Sequence, residues 1–255
     1  MIGLPDHVSA CLFDLDGVLT GTAALHSEAW KQTFDEFLRK RDGENFTPFS
    51  AHDYAAYVDG RPRADGVREF LASRDIKLPE GDADEKGGAD TVNGLGNRKN
   101  ELVLKIIDER GVNPYPGSMR YLRAAKDAGK KIAVVTSSAN GKKVLDAANV
   151  TPFVEARIDG LVLKRDNLRG KPAPDSFLAG AKALGVAPEN AAVFEDALAG
   201  VQAGKAGGFG YVVGVNRADQ ADELRAHGAD IVVDDLADLL DGNKDSDKDG
   251  KESRA

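Results

Sequence analysis

Apolar positions along the chain follow two periods, and the switch between them divides it. Ser9 to Leu15 is a short apolar run closing on Asp16-Gly17, the pattern of a buried strand entering a loop. Over 24–41 the spacing changes to steps of four and three. His26, Trp30, Phe34 and Phe37 fall on one face with charges between them, predicting an amphipathic helix. Further helical patterns cover 52–59, 62–73 and 98–110, with no strand among them. The stretch EGDADEKGGAD (80–90) breaks the periodicity and reads as a solvated acidic loop.

The texture changes after Pro114. Five apolar strand candidates follow: KIAVVT (131–136), GLVL (160–163), AAVFED (191–196), GYVVGV (210–215) and DIVV (230–233). Helical patterns at 117–128, 140–148, 174–185, 197–205 and 219–227 alternate with them. This alternation predicts an α/β fold with a Rossmann-like parallel sheet covered on both faces, and the strand near residue 12 is its natural first member. The expected organisation is a core of 1–20 and 115–240, an inserted α-helical domain of 21–114, and a disordered polar tail at 241–255. Within that tail Asp245, Asp247, Asp249 and Gly250 match the opening of an EF-hand calcium loop. The position that should close such a loop lies beyond residue 255 and no helical pattern flanks the run, so a solvated charge run is expected.

Composition narrows the class. The 255 residues suit one large or two smaller domains, and 42% hydrophobic content supplies a core. A net charge of −8 argues against a broad nucleic-acid surface and leaves room for a small basic pocket. The single cysteine, Cys11, excludes an intrachain disulfide and points to a reducing compartment. No leader pattern or membrane-length apolar run occurs. A cytoplasmic monomer with neither nucleic-acid nor membrane partner is expected.

Ligands of parallel α/β sheets gather at the carboxyl ends of the strands. Here those ends carry Asp14 and Asp16, Thr136 and Ser137, and Glu195 and Asp196, with Lys171 in the loop GKPAPD. Carboxylates at this density must bind a cation or take up protons, and an all-oxygen set with few histidines favours Mg²⁺. A carboxylate, Mg²⁺, a lysine and a hydroxyl fit phosphoryl transfer, with one carboxylate attacking phosphorus and another moving a proton. Each residue also has a plainer reading. Strand-end aspartates serve turns, Thr136 could cap a helix, Lys171 could be a loop lysine, and Glu195 and Asp196 suit a helix N-terminus. His26 and Trp30 could be core, and Arg63 and Lys99 solvated charges.

Four stretches in this order, DLDGVLT (14–20), VVTSS (134–138), GKPAPD (170–175) and FEDALAG (194–200), resemble the motifs of the haloacid dehalogenase superfamily, and the likeness spans 8–240. The resemblance implies a parallel core with a helical cap inserted after the first motif. It implies Asp14 as the nucleophile forming an aspartyl-phosphate, and Asp16 as general acid/base. Thr136 and Lys171 would hold the phosphoryl group. Asp14, the main-chain carbonyl of Asp16, Glu195 and Asp196 would surround Mg²⁺.

Within the superfamily the chain is similar to the mutases that interconvert β-glucose 1-phosphate and glucose 6-phosphate through a 1,6-bisphosphate. The likeness rests on LTGTAALHSEAWK (19–31), DGRPR (59–63) and NRKN (97–100). It implies that Thr22, His26 and Trp30 face the substrate, Arg63 grips the non-transferring phosphate and Lys99 supports the acid/base. Ser137, Ser138 and Asn140 would also touch the substrate. Two positions depart from the pattern: Ala139 stands where a lysine is expected, and Gly21 where an aspartate is frequent. Arg63, Arg61 or Lys142 would compensate for the first. The alternatives left open are a phosphatase of a small sugar phosphate with the same core residues, and a non-catalytic binding protein on this fold.

Overall fold

The computed structural model describes residues 2–240, so the acidic tail and its calcium-like run lie outside the described residues. Within them, six strands form one wholly parallel sheet. They are β1 (Ala10–Phe13), β2 (Lys131–Val135), β3 (Ala156–Ile158), β4 (Ala191–Glu195), β5 (Tyr211–Val215) and β6 (Ile231–Val233). The sheet order is β3-β2-β1-β4-β5-β6, so the chain builds outward on one side of β1 and then crosses to the other. Cys11 pairs with Ile132 on one side and Ala192 on the other, which fixes the register of the three central strands. A reversal of this kind opens a crevice beyond the strand ends, where parallel sheets bind ligands.

Side chains alternate across the sheet as the strand period requires. Cys11, Phe13, Val134, Phe194 and Val213 point into one buried layer, and Ala10, Leu12, Val135, Val193 and Val212 into the other. The helices covering these faces are α5 (Pro116–Asp127), α6 (Gly141–Ala147), α7 (Gly160–Arg165), α8 (Asp175–Leu184), α9 (Leu198–Ala206) and α10 (Ala221–Ala226). Between β1 and α5 the chain makes α1 (Thr22–Asp42), α2 (Ala51–Asp53) running into a wide π-type turn (Tyr54–Val58), α3 (Arg63–Ser73) and α4 (Val92–Arg110). These four helices enclose a separate apolar cluster in which Trp30 and Phe34 stack at 5.0 Å and Phe34 meets Phe70 at 4.1 Å. The chain enters and leaves this segment through one strap. Gly21 N–H donates to Asn113 and Tyr115 N–H to Leu19, both at 3.0 Å.

Two expectations need correction. GLVL (160–163) is the start of α7, and the strand lies just before it at Ala156–Ile158. The carboxylate of Asp159 accepts from Leu161 and Val162 N–H at 3.1 Å each, capping a helix where apolar content suggested a strand. Helix α4 begins at Val92, ahead of the expected 98, because Thr91 caps it by accepting from Gly94 N–H at 2.9 Å.

Candidate active site

The site is assembled where β1, β2 and β4 end side by side. Asp14 follows β1 directly, and its N–H donates to the Phe194 carbonyl at 2.9 Å, so the sheet ladder itself fixes its backbone. Lys171 is buried beneath it. Its ammonium donates to Asp14 Oδ1 at 2.5 Å, to Glu195 Oε1, and to the Val135 carbonyl at 3.3 Å. Burial opposes this charge, but Asp14 and Glu195 more than offset it and hold the lysine pKa above its ordinary value. One ammonium does not neutralise three neighbouring carboxylates. Burial, together with the negative charge of Glu195 and Asp16, therefore raises Asp14 well above the carboxylate range, against the pull of Lys171. Asp196 is raised in the same way, by burial and then by Asp59, Glu195 and Asp14.

Asp16 occupies a different environment, turned toward the helical segment. It accepts from Thr22 Oγ1 and from Thr136 Oγ1 at 3.2 Å. His26 Nε2 lies 3.6 Å from Asp16 Oδ1, while His26 Nδ1 is 2.8 Å from Lys99 Nζ. Lys99 is buried and rides 4.9 Å over the Trp30 ring. Burial and then Lys99 push His26 down to about 4, so the imidazole is neutral at pH 7. With Lys99 donating to Nδ1, the network assigns the ring proton to Nε2, facing Asp16. Burial also lowers Lys99, to about 7, although Asp16 pulls the other way.

The Lys99 shift makes a stability prediction. Its folded-state pKa lies below the unfolded 10.5, so the cost of burying the charge is complete below pH 7 and fades as pH rises toward 10.5. Relative to Lys99→Met, wild-type stability should climb over that window. Urea unfolding of both proteins at pH 6.5 and 9.5 checks it, and a constant difference would contradict the shift.

A cavity of about 910 Å³ joins the two environments. Asp14, Asp16, Thr136, Lys171 and Asp196 line it from the sheet, and His26, Trp30, Arg61, Arg63 and Lys99 from the helical segment. Ser137, Ser138, Ala139 and Asn140 form a side wall. Ser137 Oγ donates to the Gly60 carbonyl at 2.7 Å, and Asn140 Nδ2 donates to Asn100 Oδ1 at 2.9 Å. Both bonds tie the wall to the helical segment. Thr22 and Glu195 do not line the cavity; each acts from behind a residue that does. Lys142 is turned away onto Asp146 at 2.6 Å, whereas Lys164 lines the cavity.

Asp59 is a site residue that sequence reasoning passed over. It ends the π-type turn and projects toward the sheet carboxylates. Burial lifts its carboxyl to about 7, with the Tyr54 hydroxyl opposing and Glu195 adding to the rise. Its signal was present in DGRPR, but only the arginine of that stretch has an obvious phosphate role.

The donor set suits Mg²⁺. Among the described residues no three His, Cys, Asp or Glu side chains converge in metal-ligating geometry. Glu195 is already engaged, with Oε1 taken by Lys171 and Oε2 accepting from Ala197 N–H at 2.9 Å. Both its oxygens thus have partners within the protein. Asp14 and Asp196 remain, with excess negative charge and only oxygen donors. Mg²⁺ is commonly held by one or two carboxylates, waters and a substrate phosphate, so this set fits.

Residues 8–208 match the family of haloacid dehalogenase-like hydrolases. A beta-phosphoglucomutase of Mycobacterium tuberculosis is 56% identical over 247 residues, 94% of each chain. A beta-phosphoglucomutase of Bacillus subtilis is 32% identical over 236 residues, covering 91% of this chain and 92% of that one. The crystal structure of a Clostridium difficile beta-phosphoglucomutase matches with a TM-score of 0.71 at 25% identity, over 91% of this chain and 93% of the other.

Proposed function

The chain belongs to the haloacid dehalogenase-like hydrolase family, and from that premise we propose that it is a β-phosphoglucomutase, converting β-glucose 1-phosphate to glucose 6-phosphate through a 1,6-bisphosphate. One observation carries the reading beyond the family. A single cavity presents a nucleophilic carboxylate and Lys171 on its sheet side and the guanidinium of Arg63 on its helical side. A phosphatase needs to grip one phosphate; a mutase must hold a sugar phosphorylated at either end.

In this reading Asp14 attacks phosphorus, an Asp14–O–P bond forms, and the bond from phosphorus to the sugar oxygen breaks. Asp16 supplies the proton that the departing oxygen takes up, and as a carboxylate removes the proton of the hydroxyl that attacks in the reverse direction. The two carboxylates keep separate roles because their surroundings differ. Asp14 lies against the Lys171 ammonium, whereas Asp16 is bonded to hydroxyls and faces neutral His26. Thr136 and Lys171 hold the phosphoryl oxygens. Mg²⁺, held by Asp14, Asp196 and the Asp16 main-chain carbonyl, would neutralise charge on those oxygens. Residues 21–114 act as a cap that excludes water, so that a sugar hydroxyl rather than water accepts the phosphoryl group.

The assay supplies β-glucose 1-phosphate, a trace of the bisphosphate and Mg²⁺, and follows glucose 6-phosphate and free phosphate together. Glucose 6-phosphate should dominate. Free phosphate alone would favour the phosphatase, the reading that Ala139 in the cavity wall supports. Arg63→Ala should reduce isomerisation by about 100-fold, the loss of a charge-assisted phosphate contact, with little change in hydrolysis of a simple aryl phosphate. Equal losses would remove Arg63 as the clamp.

A further inference from the structure

The connection between β5 and α10, residues 216–220, supplies nothing to the chemistry above, yet its side chains reach both carboxylate loops. Arg217 Nε donates to the Gly17 carbonyl at 2.8 Å, and Nη1 donates to the Asp234 carbonyl at 2.9 Å. The guanidinium lies 3.9 Å over the ring of Tyr115, the residue that closes the strap of the helical segment through its bond to Leu19. Gln220 Nε2 donates to the Asp196 carbonyl at 2.8 Å, and Asn216 Oδ1 accepts from the Gln220 main-chain N–H at 2.9 Å. Gly17 has φ +96°, and a Cβ there would stand 1.8 Å from Asp196 Oδ2. The Asp16–Gly17 turn and Asp196 are thus in contact, with Arg217 holding one and Gln220 the other.

The planar guanidinium binds two carbonyls in fixed directions while stacking on an aromatic face, which a lysine cannot reproduce. Its two central partners are significant because of where they lie. Gly17 follows Asp16 in the catalytic turn, and Tyr115 is where the chain returns from the helical segment. Tyr115 adjoins the point at 113–114 where that segment rejoins the sheet domain, and Arg217 touches both its ring and the Gly17 carbonyl.

We propose that Arg217 is a positioning residue that couples the strap of the helical segment to the carboxylate-bearing turn, holding the Gly17–Val18 peptide, and with it the adjoining Asp16, in place. The structural half stands independently of the reaction; only its activity consequence rests on the function proposed above. The test compares the metal-free wild type with Arg217→Ala by amide hydrogen exchange, in peptides spanning 14–24 and 110–118. Both stretches should exchange at least about tenfold faster in the variant, a local opening that distant strands do not share. In calorimetry the Mg²⁺ Kd should weaken about tenfold, as for loss of a residue supporting a metal ligand, with Arg217→Lys intermediate. Acceleration in only one stretch, or in neither, overturns the coupling, even if Tm falls. Should Arg217→Ala fail to fold, Tyr115→Leu removes the stack alone and must accelerate the same two stretches; unchanged exchange there is equally fatal. A wild type that binds no Mg²⁺ would instead sink the proposed reaction and leave the exchange result to judge the coupling.

Discussion

Asp14→Asn should abolish turnover, with kcat reduced at least about 10⁴-fold, while the protein remains as stable as the wild type or gains. The amide keeps the size of the carboxylate but is no nucleophile, and removal of one member of a covalent-catalysis unit costs on this scale. The stability half follows from Asp14 being raised well above its ordinary range by burial and by Glu195 and Asp16. A carboxyl with a raised folded-state pKa costs stability once pH exceeds its unfolded value of 3.8, and the cost grows until pH passes the folded value. Asparagine never carries that charge. Steady-state kinetics with thermal unfolding at pH 7 checks both halves. A variant with full activity would favour the binding-protein reading and end the catalytic one. A variant that is inactive because it is unfolded would contradict the account of repulsion.

Lys171→Met should be damaging in the opposite way, costing both fold and activity. Lys171 is 1% exposed and is the ammonium between Asp14 and Glu195. Removing one partner of a buried ionic group typically costs about 3–5 kcal/mol, because the remaining charges stay buried without compensation. Activity should fall about 10³-fold as well, the usual penalty for losing a preorganised group at developing charge. The pH dependence gives the sign. Lys171 is the influence that lowers Asp14, so without it the carboxyl pKa rises further. The variant should therefore be least impaired at acid pH, where the carboxyl groups take up protons, and lose ground as pH rises toward 7. Urea unfolding between pH 4.5 and 7.5 measures this. Adding Glu195→Gln to Lys171→Met should restore part of the stability and none of the activity, which separates charge compensation from catalysis. A pH-independent deficit would mean that the lysine contributes mainly by packing on Phe177, whose ring it faces at 4.8 Å.

These two residues also show what could be read before the structure was known. Asp14 was legible because an apolar strand that ends in acid is costly unless function requires it, and that cost is visible locally. Lys171 was legible only through the motif GKPAPD. Its partner Asp14 lies 157 positions away, and no periodicity links them.

The secondary structure divides in the same way. Strands of four or five buried residues, such as Ala191–Glu195, declare themselves by apolar content. The three-residue edge strand Ala156–Ile158 is too short to show a period, and the apolar run that follows it belongs to a helix because Asp159 caps it. In α4, Gly94 and Gly96 lower the helical propensity of the first turns, ahead of residue 98. Packing uses both: a Cβ at Gly94 would stand 2.4 Å from the Ala89 carbonyl oxygen, and one at Gly96 would stand 3.1 Å from the Arg63 side chain.

The sequence by itself determined the α/β alternation, the helical pattern over 21–114, and the chemical groups at the strand ends. Those follow from the strand and helix periods and from local cost. The tertiary structure alone decided that Glu195 bonds Lys171, that a neutral His26 bonded to Lys99 lies beside Asp16, that Asp59 lines the cavity and that Arg217 bonds the Gly17 carbonyl. Each of those roles depends on burial and on a partner distant along the chain. Burial and partnership come from how the sheet and the inserted helices pack, which no short stretch of sequence encodes.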